Sequence, residues 1–584
     1  MAIIRGAPRL LVCALAAGLL VLVAGLTYAG VNRGEAEAEE PGAKQSSHIS
    51  RVASLRAPFF TPKQLSSRLA AARAFAGRPA TAGGSGGAAR GVFNNDIFGL
   101  PQNEESVTVC RTNTRIVLEG TNDYRGLIDP EGNFTGWHLS TNGGRTLRNE
   151  GLLPPVSLIS DSGREIPSGG DPVKVAGTTN AAGTRPGCAF LYAGSLAYNP
   201  VDPFGDSNGI AVYRSTADIL ASCDTTYPNS ANPECWPTRR LVAEAEASHF
   251  LDKEWFDVGW SGDAEWVWVT YSDFTIDFDA PLGFTQAEIF AVRCDRDLVT
   301  CTPPIPISVD DLDVQFSDVT IAPDGRVYVT WSEIIGELPF DPDCPDIDPD
   351  TGECLTGQTF VHKLRVAAPG SVDFGPERIV HVEDKAIPFG GFMHANDWRV
   401  ATYPKNEVVP VGGGQRTFVV WDACEFRPLD SICEEALIKL KYSDDDGATW
   451  SDVQIISAGG DNYFPAIAWN QDTRRSRLAF AWFTNRYDDT FHNAQSVDYL
   501  TMDPVRVRAR GRPQQLARPL NESEADPILG GFFIGDYIEV AAVGRTAWVG
   551  FNANYRHEQL LGPFGVEGIP VPQQDNYLVI RSVP

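Results

Sequence analysis

Ser443-Asp444-Asp445-Asp446-Gly447-Ala448-Thr449-Trp450 reads as the connection of a β-hairpin. A carboxylate at Asp445 can accept backbone N–H bonds inside the turn, Gly447 supplies a positive φ, and Trp450 offers a large apolar body to a neighbouring sheet. The stretch before it, LIKLKYS, alternates apolar and polar residues as a half-buried strand does. A second copy stands far upstream at Ser140-Thr141-Asn142-Gly143-Gly144-Arg145-Thr146-Leu147, with Asn142 for the Asp and Leu147 for the Trp. One hairpin chemistry used twice in strand-rich surroundings points to a repeat.

Moving outward, seven units open with an acidic residue beside an apolar, alternating run: Glu105 in EESVTV, Asp171 in GDPVKV, Asp252 in DKEWFDV, Asp318 in SDVTIA, Asp397 in NDWRVA, Asp461 in DNYFPAIAW and Asp536 in GDYIEVAA. Second strands such as EWVWVTYSDF, RVYVTWSE and RLAFAWFTN follow. The openings lie 66, 81, 66, 79, 64 and 75 residues apart, whereas a bare four-stranded blade needs roughly 40–50. Each unit therefore carries long loops. A sheet repeat that cannot bury its own faces must stack on its neighbours, and ring closure removes the open ends. The expected fold is all-β, a β-propeller of four-stranded blades from 94 to 584; seven blades is the favoured count, and six stays open because the last unit is short.

Composition agrees: 55 Gly, 41 Pro and 13 Trp suit short strands, tight turns and aromatic packing between sheets. A net charge of −27 repels nucleic acid and anionic lipid and excludes them as partners. Leu10–Ala29 is an uncharged apolar run behind Arg5 and Arg9, so 1–29 reads as a signal peptide or a membrane anchor, and either places the body outside the cytoplasm. Residues 30–93 read as a linker or stalk with a short helix after Thr61-Pro62. The cysteines support export. Cys13 lies inside the apolar run; of the other ten, Cys223/Cys235, Cys294/Cys301, Cys344/Cys354 and Cys424/Cys433 are close in sequence, Cys110 and Cys188 remain, and no zinc spacing occurs, so five disulfides are expected.

The pattern S-x-D-x-G-x-T-W of 443–450 is the Asp box, and on it and the degenerate copy the chain resembles the sialidase-like (BNR, Asp-box) β-propellers. The resemblance implies that Ser443, Asp445, Gly447, Thr449 and Trp450, with Ser140, Asn142, Gly144 and Thr146, are structural and lie away from the ligand face. RCDRDLVTCT occupies a box position in the third unit, with Cys294 and Cys301 as a disulfide staple in its place. Sialidases clamp a carboxylate with three arginines and use a Tyr–Glu pair and an Asp. The positions here that would answer are Asp397, Arg399, Asp536 and Tyr537 as catalytic residues, with Arg486 as another clamp; Thr114-Arg115-Ile116-Val117 is nearest to the family's first-arginine segment and is read as part of a second strand. None stands at a diagnostic spacing, and surface or inter-blade ion pairs for the arginines and core packing for the tyrosine are the favoured account of these residues. His394, in a Gly-rich loop before Asp397, is the histidine nearest the expected channel mouth. No nucleophile elbow, Walker loop or HExxH occurs.

The seven opening acids are expected around one mouth of the channel. Seven carboxylates there must bond to backbone N–H groups of the next blade, pair with Lys253, Arg399 or another base, or hold a cation or a polyhydroxylated ligand. Glu105, Asp171, Asp252, Asp318, Asp461 and Arg486 are thus candidate ligand contacts. No motif requires a cofactor. In 341–354, Asp346, Asp348, Asp350 and Glu353 alternate in a way that could hold Ca²⁺, although a solvated acidic loop is the favoured reading. The functional expectation is an exported, glycan-directed propeller, either a divergent glycoside hydrolase with weak or no sialidase turnover or a carbohydrate-binding relative. A non-catalytic surface scaffold or adhesin is the competing reading, and whether the chain is an enzyme at all is left open.

Overall fold

A computed structural model describes residues 93–584 except 96–99, 200–203, 205, 227–228, 278–283, 310, 312, 338–357, 386–399, 401, 403, 425–434, 490–493, 522–525, 527–528, 530–532 and 559–570. Within it the strands form seven antiparallel meanders around a central channel. Their first strands are Gln102–Val109, Val173–Ala176, His249–Ser261, Val314–Ile321, Lys405–Val411, Asn462–Trp469 and Glu539–Val543. Six blades have four strands or more and the seventh has three. The expected seven-bladed, all-β propeller is the observed fold.

The apolar residues do not gather in one core. Among the described residues they form seven clusters, one at each blade junction. Trp268, Ile289 and Ile307 of blade three, for example, pack against Val319, Val329 and Trp331 of blade four, and Val107, Val109 and Val117 of blade one meet Trp548 and Leu578 of blade seven. Second strands contribute fully buried Trp268, Trp331, Trp421 and Trp482, each removing about 150–250 Å² from water, on the order of 4–6 kcal/mol at roughly 25 cal/mol per Å². Blade stability is therefore shared between neighbours, and the seventh junction closes the circle. There the three-stranded last blade meets the start of the domain: Phe93 N–H donates to Asn576 O at 2.9 Å, and Asn94 Nδ2 donates to Asn576 Oδ1 at 2.7 Å.

Four first strands carry a bulge near their start, in register between Asn103/Ser106, Asp252/Trp255, Gln315/Asp318 and Tyr463/Ala466. The bulged residues Glu104, Lys253, Phe316 and Phe464 have φ of 59°, 54°, 60° and 53°, and Asp171 just before its strand has 52°. A left-handed residue at a bulge re-aims its side chain and breaks the alternation. This is why the opening acids share no single phase with the apolar residues that follow.

The hairpin chemistry read from sequence is present in atomic detail. Asp445 accepts from Thr449 N at 2.8 Å, Thr449 Oγ1 at 2.6 Å and Ser443 Oγ at 2.8 Å, which holds its carboxyl below the usual range. Gly447 has φ of 84°, and Trp450 packs partly buried against the junction of blades four and five. Asn142 repeats the arrangement, accepting from Arg145 N at 3.1 Å and Thr146 N at 3.0 Å. In the third unit Cys294–Cys301 is a disulfide, while Asp295 accepts from Asp297 N and Val299 N.

Cys110–Cys188 and Cys223–Cys235 are also bridged. Of the five expected disulfides, three are therefore present among the described residues. The other two, Cys344–Cys354 and Cys424–Cys433, are not among them: Cys344, Cys354 and Cys433 lie outside the described residues, as does the side chain of Cys424. The segment 1–29, the stalk to 92 and His394 lie outside them too. Two readings change. The described first strand of blade five is Lys405–Val411, later than the opening read from sequence, and NDWRVA apart from Val400 lies outside the described residues. Arg115 sits exposed in the turn before Val117–Asp123 rather than in that strand. Among the described residues no helix is long and apolar enough to cross a membrane.

Candidate functional site: the central channel

First strands from all seven blades line a channel whose two ends differ in chemistry. At the strand-start end, the left-handed backbone at Glu104, Asp171 and Lys253 turns their side chains to the axis. Lys253 Nζ lies 2.8 Å from Asp171 Oδ2, 2.8 Å from Asp536 Oδ2 and 3.9 Å from Glu104 Oε1, and all four residues are buried. Glu104 is held far above the usual carboxylate range, by burial first and then by Asp171. It also accepts from Asn122 Nδ2 at 2.8 Å and from Asp536 N at 3.1 Å, joining blade seven to blade one. The group is a plug whose charges answer one another.

Below it lies a mixed layer. Tyr537 Oη donates to Pro172 O at 3.1 Å across the axis and its ring meets Trp255 edge to face. Lys405 covers the Trp255 ring. Asp318 accepts from Asn406 Nδ2 at 2.9 Å and from Asn406 N at 2.6 Å, on the next blade.

The channel's middle repeats that tie. Asp257 Oδ2 accepts from Ile321 N at 2.8 Å, Glu407 Oε2 from Trp469 N at 2.8 Å and Thr108 Oγ1 from Ala176 N at 3.0 Å. In each case a side chain of one first strand caps a backbone N–H of the next. Burial raises Asp257 and pushes Glu407 up to about 7 and Glu539 to about 8.

From this layer a cavity of about 230 Å³ runs toward the hairpin end, where Arg111, Thr178, Arg185, Trp260 and Gln471 line it. First and third strands both end there, so the Asp-box hairpins share this face. Arg111 follows Cys110 in the first hairpin of blade one; Arg185 lies in the corresponding loop of blade two, three residues before Cys188. Arg111 is reached by channel solvent, yet enclosure lowers its guanidinium's pKa, opposed by Asp257 and Glu407 and reinforced by Arg185.

The residues singled out from sequence are thus dispersed. Asp171 and Asp536 meet on Lys253. Asp318 ties blades four and five, and Asp461 accepts from Ala436 N of the preceding blade at 3.0 Å. Glu105 is buried facing Glu119, which raises it further after burial itself, and Asp252 is buried in blade three. Arg486 forms a two-pronged pair with Asp498 at 2.6 and 2.9 Å. Asp397, Arg399, Asp346, Asp348, Asp350 and Glu353 lie outside the described residues, and among those described no group of three or more His, Cys, Asp or Glu side chains is arranged to hold a metal. Glu104, Arg111 and Arg185 were not singled out. The signals for them are Glu104-Glu105 at a bulge and two arginines flanking the cysteines left over from local pairing.

No family model matches the sequence, and no curated protein does. Among solved structures the chain is similar to the GH93 α-L-arabinofuranosidase of Fusarium graminearum (TM-score 0.36, 11% identity, covering 67% of this chain and 91% of that one). It is also similar to Trypanosoma rangeli sialidase (TM-score 0.38, 9% identity, 74% and 56%) and to a PL25 ulvan lyase (TM-score 0.39, 8% identity, 80% and 96%). Likeness at this level carries no argument about activity.

Proposed function

We propose that the chain is an exported, glycan-directed propeller that binds a small saccharide unit in its central channel. The observation that carries this reading is the cavity of about 230 Å³, which falls below the roughly 300–1,000 Å³ of drug-sized ligand sites. Aromatic Trp255 and Trp260 and polar side chains of several blades converge on it, as a polyhydroxylated ligand with an apolar ring face requires. Binding is favoured over hydrolysis because the channel carboxyls are already engaged: Asp257, Glu407 and Asp318 by backbone N–H groups, Glu539 by the Ser106 side chain, and Asp171 and Asp536 by Lys253. A retaining or inverting hydrolase needs two carboxyls free to face a scissile bond. The three disulfides suit an oxidising, extracytoplasmic compartment.

Glycan-array binding by the full chain tests the proposal, and an array with no retained glycan would sink it. Robust release of sialic acid from a fluorogenic substrate, lost in Arg399→Ala, would replace binding by hydrolysis. The acidic run 341–354 is proposed as a Ca²⁺ site, and calorimetric Ca²⁺ uptake unaltered by Asp346→Ala/Asp348→Ala would remove it.

A further inference from the structure

The chain has 75 acidic and 48 basic residues, and what sets two of its arginines apart is their place: both line the cavity. Arg214, Arg296, Arg416 and Arg486 each have a carboxylate within 4 Å. Arg111 and Arg185, at the hairpin mouth of the channel, have neither an ion pair nor a hydrogen bond among the described residues. Arg185 lies over the Trp260 ring, 4.7 Å from its centroid, a contact that leaves most of its five N–H donors unspent.

Both side chains line the same cavity, and the charge of Arg185 is felt at Arg111. Cys110–Cys188, with Cα atoms 5.7 Å apart, joins the residue next to Arg111 to the loop that carries Arg185. That loop is braced from blade three. Arg296 Nη1 donates to Thr179 Oγ1 and Asn180 O, and Nη2 to Ala181 O, all at 3.0 Å. Glu265 takes the Thr178 and Thr179 hydroxyls. Within the loop Gly187 N donates to Thr178 O and Ala189 N to Thr179 O. Two cations on backbone segments tied by a covalent bridge, at one end of a cavity and with their donors unspent, form a site for an oxyanion. The planar guanidinium fork matches the two oxygens of a carboxylate, the oxyanion that a sugar unit carries when its terminal carbon is oxidised.

We infer that the hairpin mouth of the channel is a carboxylate clamp, in which Arg111 and Arg185 hold the acid group of a uronic-acid unit whose ring enters the cavity. This rests on the glycan reading for the ring and on the two arginines for the acid. It places the ligand on the Asp-box face, opposite to where the sialidase resemblance would put one.

The test titrates the full chain by calorimetry and saturation-transfer NMR with glucuronate, glucose and inorganic sulfate. Glucuronate is expected to bind more tightly than glucose and to weaken at least about tenfold in Arg111→Gln or Arg185→Gln, the scale of one lost charge-assisted hydrogen bond. Arg545→Gln, an exposed arginine on the same face, should change nothing. Should an arginine variant fail to fold, Cys110→Ala/Cys188→Ala keeps both guanidiniums, frees the bridge between them and is expected to weaken glucuronate as well. Glucuronate binding undiminished in the Arg111→Gln/Arg185→Gln double variant overturns the clamp. Neutral sugars bound without glucuronate overturn it while sparing the glycan reading. Sulfate bound as tightly as glucuronate, with glucose unbound, overturns the uronate assignment, and no binding of any of the three overturns both proposals.

Discussion

The two ends of one channel use charge in opposite ways. At the strand-start end a single lysine meets three acids from three other blades, water is excluded and the charges are spent on closing the ring. At the hairpin end two arginines form no ion pair, Asp257 and Glu407 act on Arg111 only at a distance, and a disulfide ties the backbone segments that carry the two like charges. Both ends are built from first strands of the same repeat. The difference comes from side chains turned inward by bulges at one end and carried outward by hairpin loops at the other. A repeat that must stack on its neighbours commits its interior charges to stacking, and only charges beyond the last ladder bond are left for a ligand.

The largest expected effect is at the closed end. Lys253→Met removes the cation that Asp171, Asp536 and Glu104 share and should cost about 3–5 kcal/mol, the usual result of stranding buried carboxyls. Urea unfolding measures it, and a loss under about 1 kcal/mol, typical of an exposed pair, would erase the contrast between the ends. Next comes the bridge at the open end. Cys110 and Cys188 are 78 residues apart, and replacing both by Ala should cost about 2–4 kcal/mol through a freer unfolded chain.

A smaller effect separates the channel's middle from both ends. Glu407 and Glu539 are raised by burial to about 7 and about 8 from an ordinary 4.5. Protonated when folded and ionised when unfolded, they contribute stability that is fully present below the ordinary value and is lost as pH rises toward the raised ones. The melting temperature should therefore fall between pH 5 and pH 8, and Glu539→Gln should flatten that fall. An unchanged slope in the variant would mean that Glu539 does not carry it. Smallest of all, Arg111→Gln should leave unfolding within about 0.5 kcal/mol of the parent, as surface substitutions do, or raise stability slightly by removing repulsion from Arg185. A large loss would show that Arg111 braces the fold, and the two ends would then not differ in kind.

Much of this was legible from residues alone, because it is local. The hairpin boxes at 140–147 and 443–450, the alternating strands and the three bridged cysteine pairs depend on spacing and turn chemistry within or between adjacent units. The offer of Lys253 as a partner for the opening acids also came from sequence, since a lysine follows Asp252 directly. Glu104 did not, because period-two counting assigns the inward position to its neighbour Glu105, and a bulge shifts the phase by one residue without leaving a mark in the pattern. Arg111 and Arg185 were hidden for another reason: nothing in sequence tells an arginine with a partner from one without.

The sequence by itself determined that the chain is a ring of stacked four-stranded sheets stapled by disulfides, because alternation, turn residues and cysteine spacing act over a few residues. The tertiary structure alone decided that there are seven blade junctions, that Asp257, Asp318 and Glu407 serve the next blade, and that the acids gather on one lysine while two arginines stay unpaired. Those outcomes depend on which side chains arrive together at the axis from blades separated by most of the chain, and only ring closure sets that.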